Sequence, residues 1–152
     1  MICWVLAVGS EMLMPLRVDT NSLEITARLN EIGCDVRFKA VVGDNVDDLA
    51  EILARGIGRV DVIVCTGGLG PTEDDVTRDG VARALQLPLE FHEAILDRIR
   101  ERFERRGRSM PDINRRQAMV PRGATVLENI NGTAPGLWFE HEGTCLAVLP
   151  GP

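Results

Sequence analysis

The order of apolar runs predicts an α/β protein, a mostly parallel β-sheet with helices on both faces. Three observations carry this. Short β-branched runs alternate with segments of helical period along the first 85 residues, as βαβ units require. Polar or glycine-rich loops follow four of the strand-like runs, at Gly9-Ser10-Glu11, Gly43-Asp44-Asn45, Thr66 to Thr72 and Pro150-Gly151. Hydrophobic residues make up 45% of the chain and charged residues 26%, so a sizeable core is within reach of one domain spanning residues 1–152.

Taken in order, Ile2 to Val8 is the first strand, a run without an internal charge. A loop from Gly9 to Thr20 leads to a helix starting near Asn21, where Ile25, Leu29 and Ile32 share a face and Gly33 ends it. Asp35 to Val42 is the second strand. Val46, Leu49, Ile52 and Leu53 recur at helical spacing and define the second helix. Val60 to Cys65 reads as a buried third strand, and a helix from Val76 to Leu85 follows its glycine loop. A longer helix runs from about Glu93 to Arg106, and Pro111 opens another from Asp112 to Met119. The remainder reads as strands at Ala124 to Leu127, Leu137 to Glu140 and Thr144 to Leu149.

Bulk properties narrow the function classes. A net charge of −6 and scarce aromatic residues argue against nucleic acid as a partner. No apolar run approaches the ~20 residues needed to span a bilayer, and the start lacks signal-peptide features, so a cytoplasmic protein is expected. The four cysteines, Cys3, Cys34, Cys65 and Cys145, have neither zinc nor redox spacing and read as reduced. The arginines from Arg98 to Arg108 alternate with Asp97, Glu101 and Glu104, as on a solvated helix face.

The glycine loop is the chief functional signal. Thr66-Gly67-Gly68-Leu69-Gly70-Pro71-Thr72 lets main-chain N–H groups turn toward an anion, which suits phosphate. The acids Glu73, Asp74 and Asp75 would repel that anion unless a divalent cation lay between them. The loop is no Walker A motif, since no Gly-Lys-Ser/Thr follows, nor does it fit the dinucleotide fingerprint. A tight turn with acids favouring a helix start is the plainer alternative.

These loops together resemble the amino-terminal domain of the CinA family (competence/damage-inducible protein A), within the MoaB/Mog molybdopterin-binding superfamily. The matching pieces include Val8-Gly9-Ser10-Glu11-Met12-Leu13, Asp19-Thr20-Asn21, Val41-Val42-Gly43-Asp44-Asn45, the glycine loop with Asp75-Val76-Thr77, Asn114-Arg115-Arg116-Gln117-Ala118, Gly132-Thr133-Ala134-Pro135-Gly136 and Leu149-Pro150-Gly151. The resemblance implies a three-layer α/β/α fold of MoaB/Mog type. It also implies a rim site for the phosphate of a nucleotide or of molybdopterin, and hydrolysis of a pyrophosphate bond in ADP-ribose or a similar dinucleotide with Mg²⁺, Mn²⁺ or Co²⁺. Two other readings stay open: molybdopterin binding or adenylylation, and a non-catalytic binding or assembly domain. A homo-oligomer, dimer or trimer, is implied as well. No amidase domain of the kind CinA proteins usually carry is expected. The chain is also expected to lack the segment that normally continues past Leu149-Pro150-Gly151-Pro152.

By motif, Asp44 and Asp75 are the candidate metal ligands and, with Glu11, the candidate catalytic residues; each acid could instead be a cap or a solvated loop residue. The candidate phosphate and ligand contacts are Gly9, Ser10, Asn21, Gly43, Thr66, Gly67, Gly68, Leu69, Gly70, Pro71, Thr72, Asp74 and Thr77. Farther along they are Asn114, Arg115, Gln117, Gly132, Thr133, Ala134, Pro135, Gly136, Pro150 and Gly151. Asn21 could be an ordinary N-cap, and Arg115 could offset phosphate charge.

Overall fold

A computed structural model describes residues 1–151; Pro152, the last residue of the expected carboxyl-end segment, lies outside the described residues. Six strands form the central sheet in the order β2-β1-β3-β8-β7-β6. Strands β1 (Ile2–Val8), β2 (Asp35–Val42), β3 (Val62–Thr66) and β8 (Thr144–Leu149) run parallel; β7 (Gly136–His141) and β6 (Thr125–Leu127) add antiparallel at one edge. The β7–β8 hairpin turns through Glu142 and Gly143, both at positive φ (48° and 79°), which matches the twist of the strands it joins.

The helices are α1 (Thr20–Glu31), α2 (Val46–Gly56), α3 (Thr77–Ala84) and α4 (Glu93–Glu104). They complete a three-layer α/β/α arrangement around the mostly parallel sheet. Asn45 caps α2 by accepting from the N–H groups of Asp47 and Asp48. Gly56, the last residue of α2, lies so close to Trp4 and Ile63 that a Cβ there would approach both at 2.8 Å. Leu6, Leu49, Leu53, Ile63, Leu96, Leu137 and Leu146 fill the core, each contributing about 1.5–3 kcal/mol by burial.

Several element boundaries differ from the sequence expectation. α1 starts one residue early because Asp19, not Asn21, caps it: Asp19 Oδ1 accepts from Ser22 N–H at 2.9 Å. β3 starts at Val62, since Val60 and Asp61 are held in a turn by Thr144 Oγ1–H to Val60 O (2.6 Å) and Ile2 N–H to Asp61 Oδ2 (2.6 Å). Asp112–Ala118 is a 3₁₀ helix rather than an α-helix. β4 (Leu89–Phe91) and β5 (Met119–Pro121) pair in a small second sheet; three-residue strands are too short for periodicity to reveal.

The parallel strands bring their carboxyl ends to one rim. There the hydrogen-bond pattern continues past the strands, with Gly9 N–H to Val42 O (2.9 Å) and Gly67 N–H to Leu149 O (3.0 Å). The loop after β1 is thereby tied to the end of β2, and the loop after β3 to the end of β8, at the edge where open α/β sheets bind ligands.

Candidate functional site

A cleft of about 790 Å³ opens at this rim. The glycine loop forms one wall, the first loop and the start of α1 another, and the segment Asn129 to Ala134 a third. Gly67 and Gly68 have φ of 99° and 64°. A Cβ at Gly67 would collide with the Val8 carbonyl oxygen, and one at Gly68 with the Thr77 hydroxyl, so the main chain itself lines the cleft.

The loop is gripped from several sides. Leu69 is 2% exposed and belongs to the core. Thr77, fully buried, donates from Oγ1 to Gly67 O (2.8 Å) and from N–H to Gly68 O (3.0 Å). Arg78, 2% exposed, donates from its two terminal nitrogens to Leu69 O and Gly70 O, both at 2.6 Å. Asp75 accepts from Gly70 N–H (2.7 Å), Thr72 N–H (2.8 Å) and Thr72 Oγ1–H (2.6 Å). The Leu69–Gly70 peptide is therefore held at its carbonyl by a cation and at its N–H by a carboxylate. The N–H groups of Gly68 and Leu69 have no protein acceptor among the described residues.

Burial, with Arg116 nearby, pulls the Arg78 guanidinium down to about 10, offset by Asp75 and Asp79. It remains charged at neutral pH, a fixed cation behind the loop. Sequence reasoning missed it, because an arginine in the first turn of a helix ordinarily reads as a surface residue.

The candidate residues divide clearly. Glu11, Asn21, Thr66, Asp75 and Gln117 line the cleft, as do Gly67 to Pro71, Gly132 to Ala134, Pro150 and Gly151. Asn21 Nδ2 reaches Thr66 Oγ1 at 3.4 Å, so it belongs to the cleft rather than to the helix cap. Gln117 Nε2–H points at Leu69 O (3.5 Å) and its Oε1 accepts from Asn114 Nδ2 (2.9 Å), which makes Asn114 a buried support.

The others lie outside the lining. Ser10 and Asp44 bond each other reciprocally, Ser10 N–H to Asp44 Oδ2 (3.0 Å) and Asp44 N–H to Ser10 Oγ (2.8 Å), joining the loops of Gly9 and Gly43. Asp74 is exposed, and Thr72 and Thr77 stabilise the loop itself. Arg115 sits over the Phe91 ring at 5.2 Å. Its neighbour Arg116 makes the loop contact, donating to Thr72 O (3.1 Å) and Asp79 Oδ2 (3.0 Å). Pro135 lines a different cleft, and Gly136 begins β7.

Two charged lining residues were not among the site candidates. Arg17 is exposed at the cleft. Asp19 caps α1 through Oδ1 while its Oδ2, buried at the cleft, has no hydrogen-bond partner. An orphan acceptor of this kind is suited to a ligand N–H or O–H. One oxygen of Asp19 serves the cap, where the sequence pointed to Asn21, and the other is left over.

The acids do not fit a cation held by protein alone. Both Asp75 oxygens are engaged by loop donors, Asp44 is bonded to Ser10, and no group of three or more His, Cys, Asp or Glu that could hold a metal occurs among the described residues.

The family whose description is "Probable molybdopterin binding domain" matches residues 4–152. A CinA-like protein of Solibacter usitatus is 49% identical over 148 residues, 97% of this chain and 36% of that protein. A putative competence-damage inducible protein of Caldicellulosiruptor bescii is 46% identical over the whole chain, which covers 37% of it. The crystal structure of CinA from Thermoplasma acidophilum superposes with a TM-score of 0.91 at 32% identity, covering 100% of this chain and 90% of that one. The chain belongs to the CinA family. The CinA-type domain spans little more than a third of the curated relatives' length. It shares its fold with MoaB of Thermus thermophilus (TM-score 0.64, 18% identity, 99% of this chain and 81% of that one). No helix among the described residues is long and apolar enough to cross a membrane.

Proposed function

We propose that the rim cleft binds the phosphate of a nucleotide or pterin ligand, and that this CinA-type domain hydrolyses a pyrophosphate bond in ADP-ribose or a similar dinucleotide. The observation that carries the binding half is the pair of N–H groups without a protein acceptor among the described residues, Gly68 and Leu69, on the loop whose carbonyls buried Arg78 holds. Oriented amides backed by a fixed cation stabilise an anion without reorganisation. The cleft, about 790 Å³, is of nucleotide size, and Asp19 Oδ2 offers an acceptor to a ribose hydroxyl or pterin amine.

Among the described residues the carboxylates form no cage, so a divalent cation would be held chiefly by the phosphate oxygens of the ligand. Incubation with ADP-ribose and Mg²⁺, Mn²⁺ or Co²⁺ should release AMP; absence of turnover with every cation, in folded protein, overturns the hydrolytic half. Ligand binding without turnover would leave the second reading, a binding domain for molybdopterin or a nucleotide, which the full engagement of Asp75 favours. Fluorescence titration with a pterin phosphate, with and without ATP, separates binding from adenylylation. We extend the proposal to a homo-oligomer, supported by the exposed side chains Leu13, Met14, Leu16 and Val18 on one loop; light scattering that shows only monomer refutes it.

A further inference from the structure

A second cleft of about 400 Å³ lies between α4 and the segment from Val126 to Pro135. Its apolar lining includes Ile95 and Ile99 of α4, which are 7% and 2% exposed. Arg98 and Arg102 of α4, and Arg105 just past its end, reach it at i, i+4 and i+7. The charge alternation read from the sequence does hold for Arg100, which pairs with Asp97 (2.9 Å) and Glu93 (3.4 Å). At the cleft Arg98 and Arg105 are exposed, as a solvated face predicts, but the pairing thins. Arg98 has no carboxylate partner among the described residues, and Arg105 meets Glu101 only at 3.7 Å. Arg102 is bound to carbonyls alone, Ile130 O (2.9 Å) and Asn131 O (2.5 Å), while its Nε is buried without any acceptor.

Carbonyl dipoles satisfy donors without cancelling a charge. Three guanidiniums therefore face two carboxylates, Glu101 and Glu128, across this cleft, in a chain whose net charge is −6. The missing partner is an anion. The carbonyls that Arg102 holds lie in the wall shared with the rim cleft, since Asn129, Gly132 and Thr133 line both. Asn129 shapes that wall, its Oδ1 accepting from Asn131 and Gly132 N–H, both at 3.0 Å.

We propose that the second cleft is a binding site for a compact anion, a small molecule carrying a phosphate or carboxylate, and that Arg102 transmits its occupancy to the wall of the rim cleft. An anion on Arg102 competes with the Ile130 and Asn131 carbonyls and frees the segment they belong to. The anion site stands whatever the rim cleft binds; only the transmission rests on the function proposed above.

The test is an amide-resolved NMR titration of the intact chain with inorganic phosphate and, separately, with malonate. Amides of residues 98–105 should shift, and replacing both Arg98 and Arg105 by Ala should weaken that response about tenfold or more while leaving the glycine-loop amides unaffected. Response to phosphate alone identifies a phosphate ester as the ligand class, and an equal response to malonate identifies a carboxylate-tolerant site. Arg102→Lys keeps the charge but not the two-carbonyl grip, and should retain the α4 shifts while losing those of Asn131 to Thr133. Unmoved α4 amides with both anions, or an unchanged response in the double variant, overturn the site. Wall shifts that persist in Arg102→Lys overturn the transmission.

Discussion

Replacing Asp75 by Asn tests whether this carboxylate holds the glycine loop or waits for a metal. Asp75 accepts three hydrogen bonds within the loop, from Gly70 N–H, Thr72 N–H and Thr72 Oγ1–H, at 2.6–2.8 Å. Asparagine keeps one acceptor oxygen but turns an NH₂ group toward a main-chain N–H, so at least one bond becomes a donor–donor clash. Charge-assisted bonds are worth ~1.5–3 kcal/mol each, and the partial exposure of this carboxylate lowers the sum, so the loss should be about 2–3 kcal/mol. For a chain of this size that lowers the melting temperature by roughly 5–10 °C in metal-free buffer. A carboxylate poised only for a cation predicts the opposite, since removing its charge beside Asp74 and Glu73 would leave the metal-free protein unchanged or slightly steadier. Calorimetry in EDTA decides. A melting temperature within about 1 °C of the parent refutes the reasoning.

Arg78→Met removes both carbonyl bonds of a buried cation; it should speed amide exchange from Gly67 to Thr72 by at least tenfold and weaken nucleotide binding, whereas equal exchange rates would count against the grip. Gly68→Ala, placed at φ 64° against the Thr77 hydroxyl, should cost about 1–3 kcal/mol in denaturant unfolding and abolish thermal stabilisation by ligand. Asp19→Asn keeps a cap acceptor but can replace the orphan oxygen by a donor; ligand affinity should fall about tenfold with little change in stability, and a large loss of stability with affinity intact would refute the division of labour. Burial pushes the Cys65 thiol up to about 12. Below the ordinary thiol range both states keep the proton and stability is flat; above pH 9 only the unfolded chain releases it, so stability falls, by about 1.4 kcal/mol at pH 10. Cys65→Ala should lessen that fall in the urea-unfolding profile by about this amount, with Cys3, pushed up to about 11, supplying the remainder.

The rim was legible because strands announce their ends with glycine and short polar residues, and parallel strands gather those ends on one side. Thr66 to Pro71, Pro150 and Gly151 were found for that reason, whereas Gly132 to Ala134, which precede antiparallel β7, came from the family resemblance alone. Which of two neighbouring arginines meets the loop was not legible. A 3₁₀ turn advances about 120° per residue against 100° in an α-helix, and from Asp112 onward that difference turns Arg116 to Thr72 and leaves Arg115 on Phe91. Arg78 was invisible because its burial comes from a loop folding over it, not from its own helix. The residues of the second cleft failed differently: charge alternation along the chain is silent about which guanidiniums a distant segment will cover.

Leu69 belongs to the core even though its neighbours face the cleft. A loop anchored by its own apex cannot swing as a lid without opening the interior beneath it. Ligand capture should then proceed with little ordering of the protein, its entropic cost confined to the incoming molecule, and its speed set by encounter rather than by waiting for a gate.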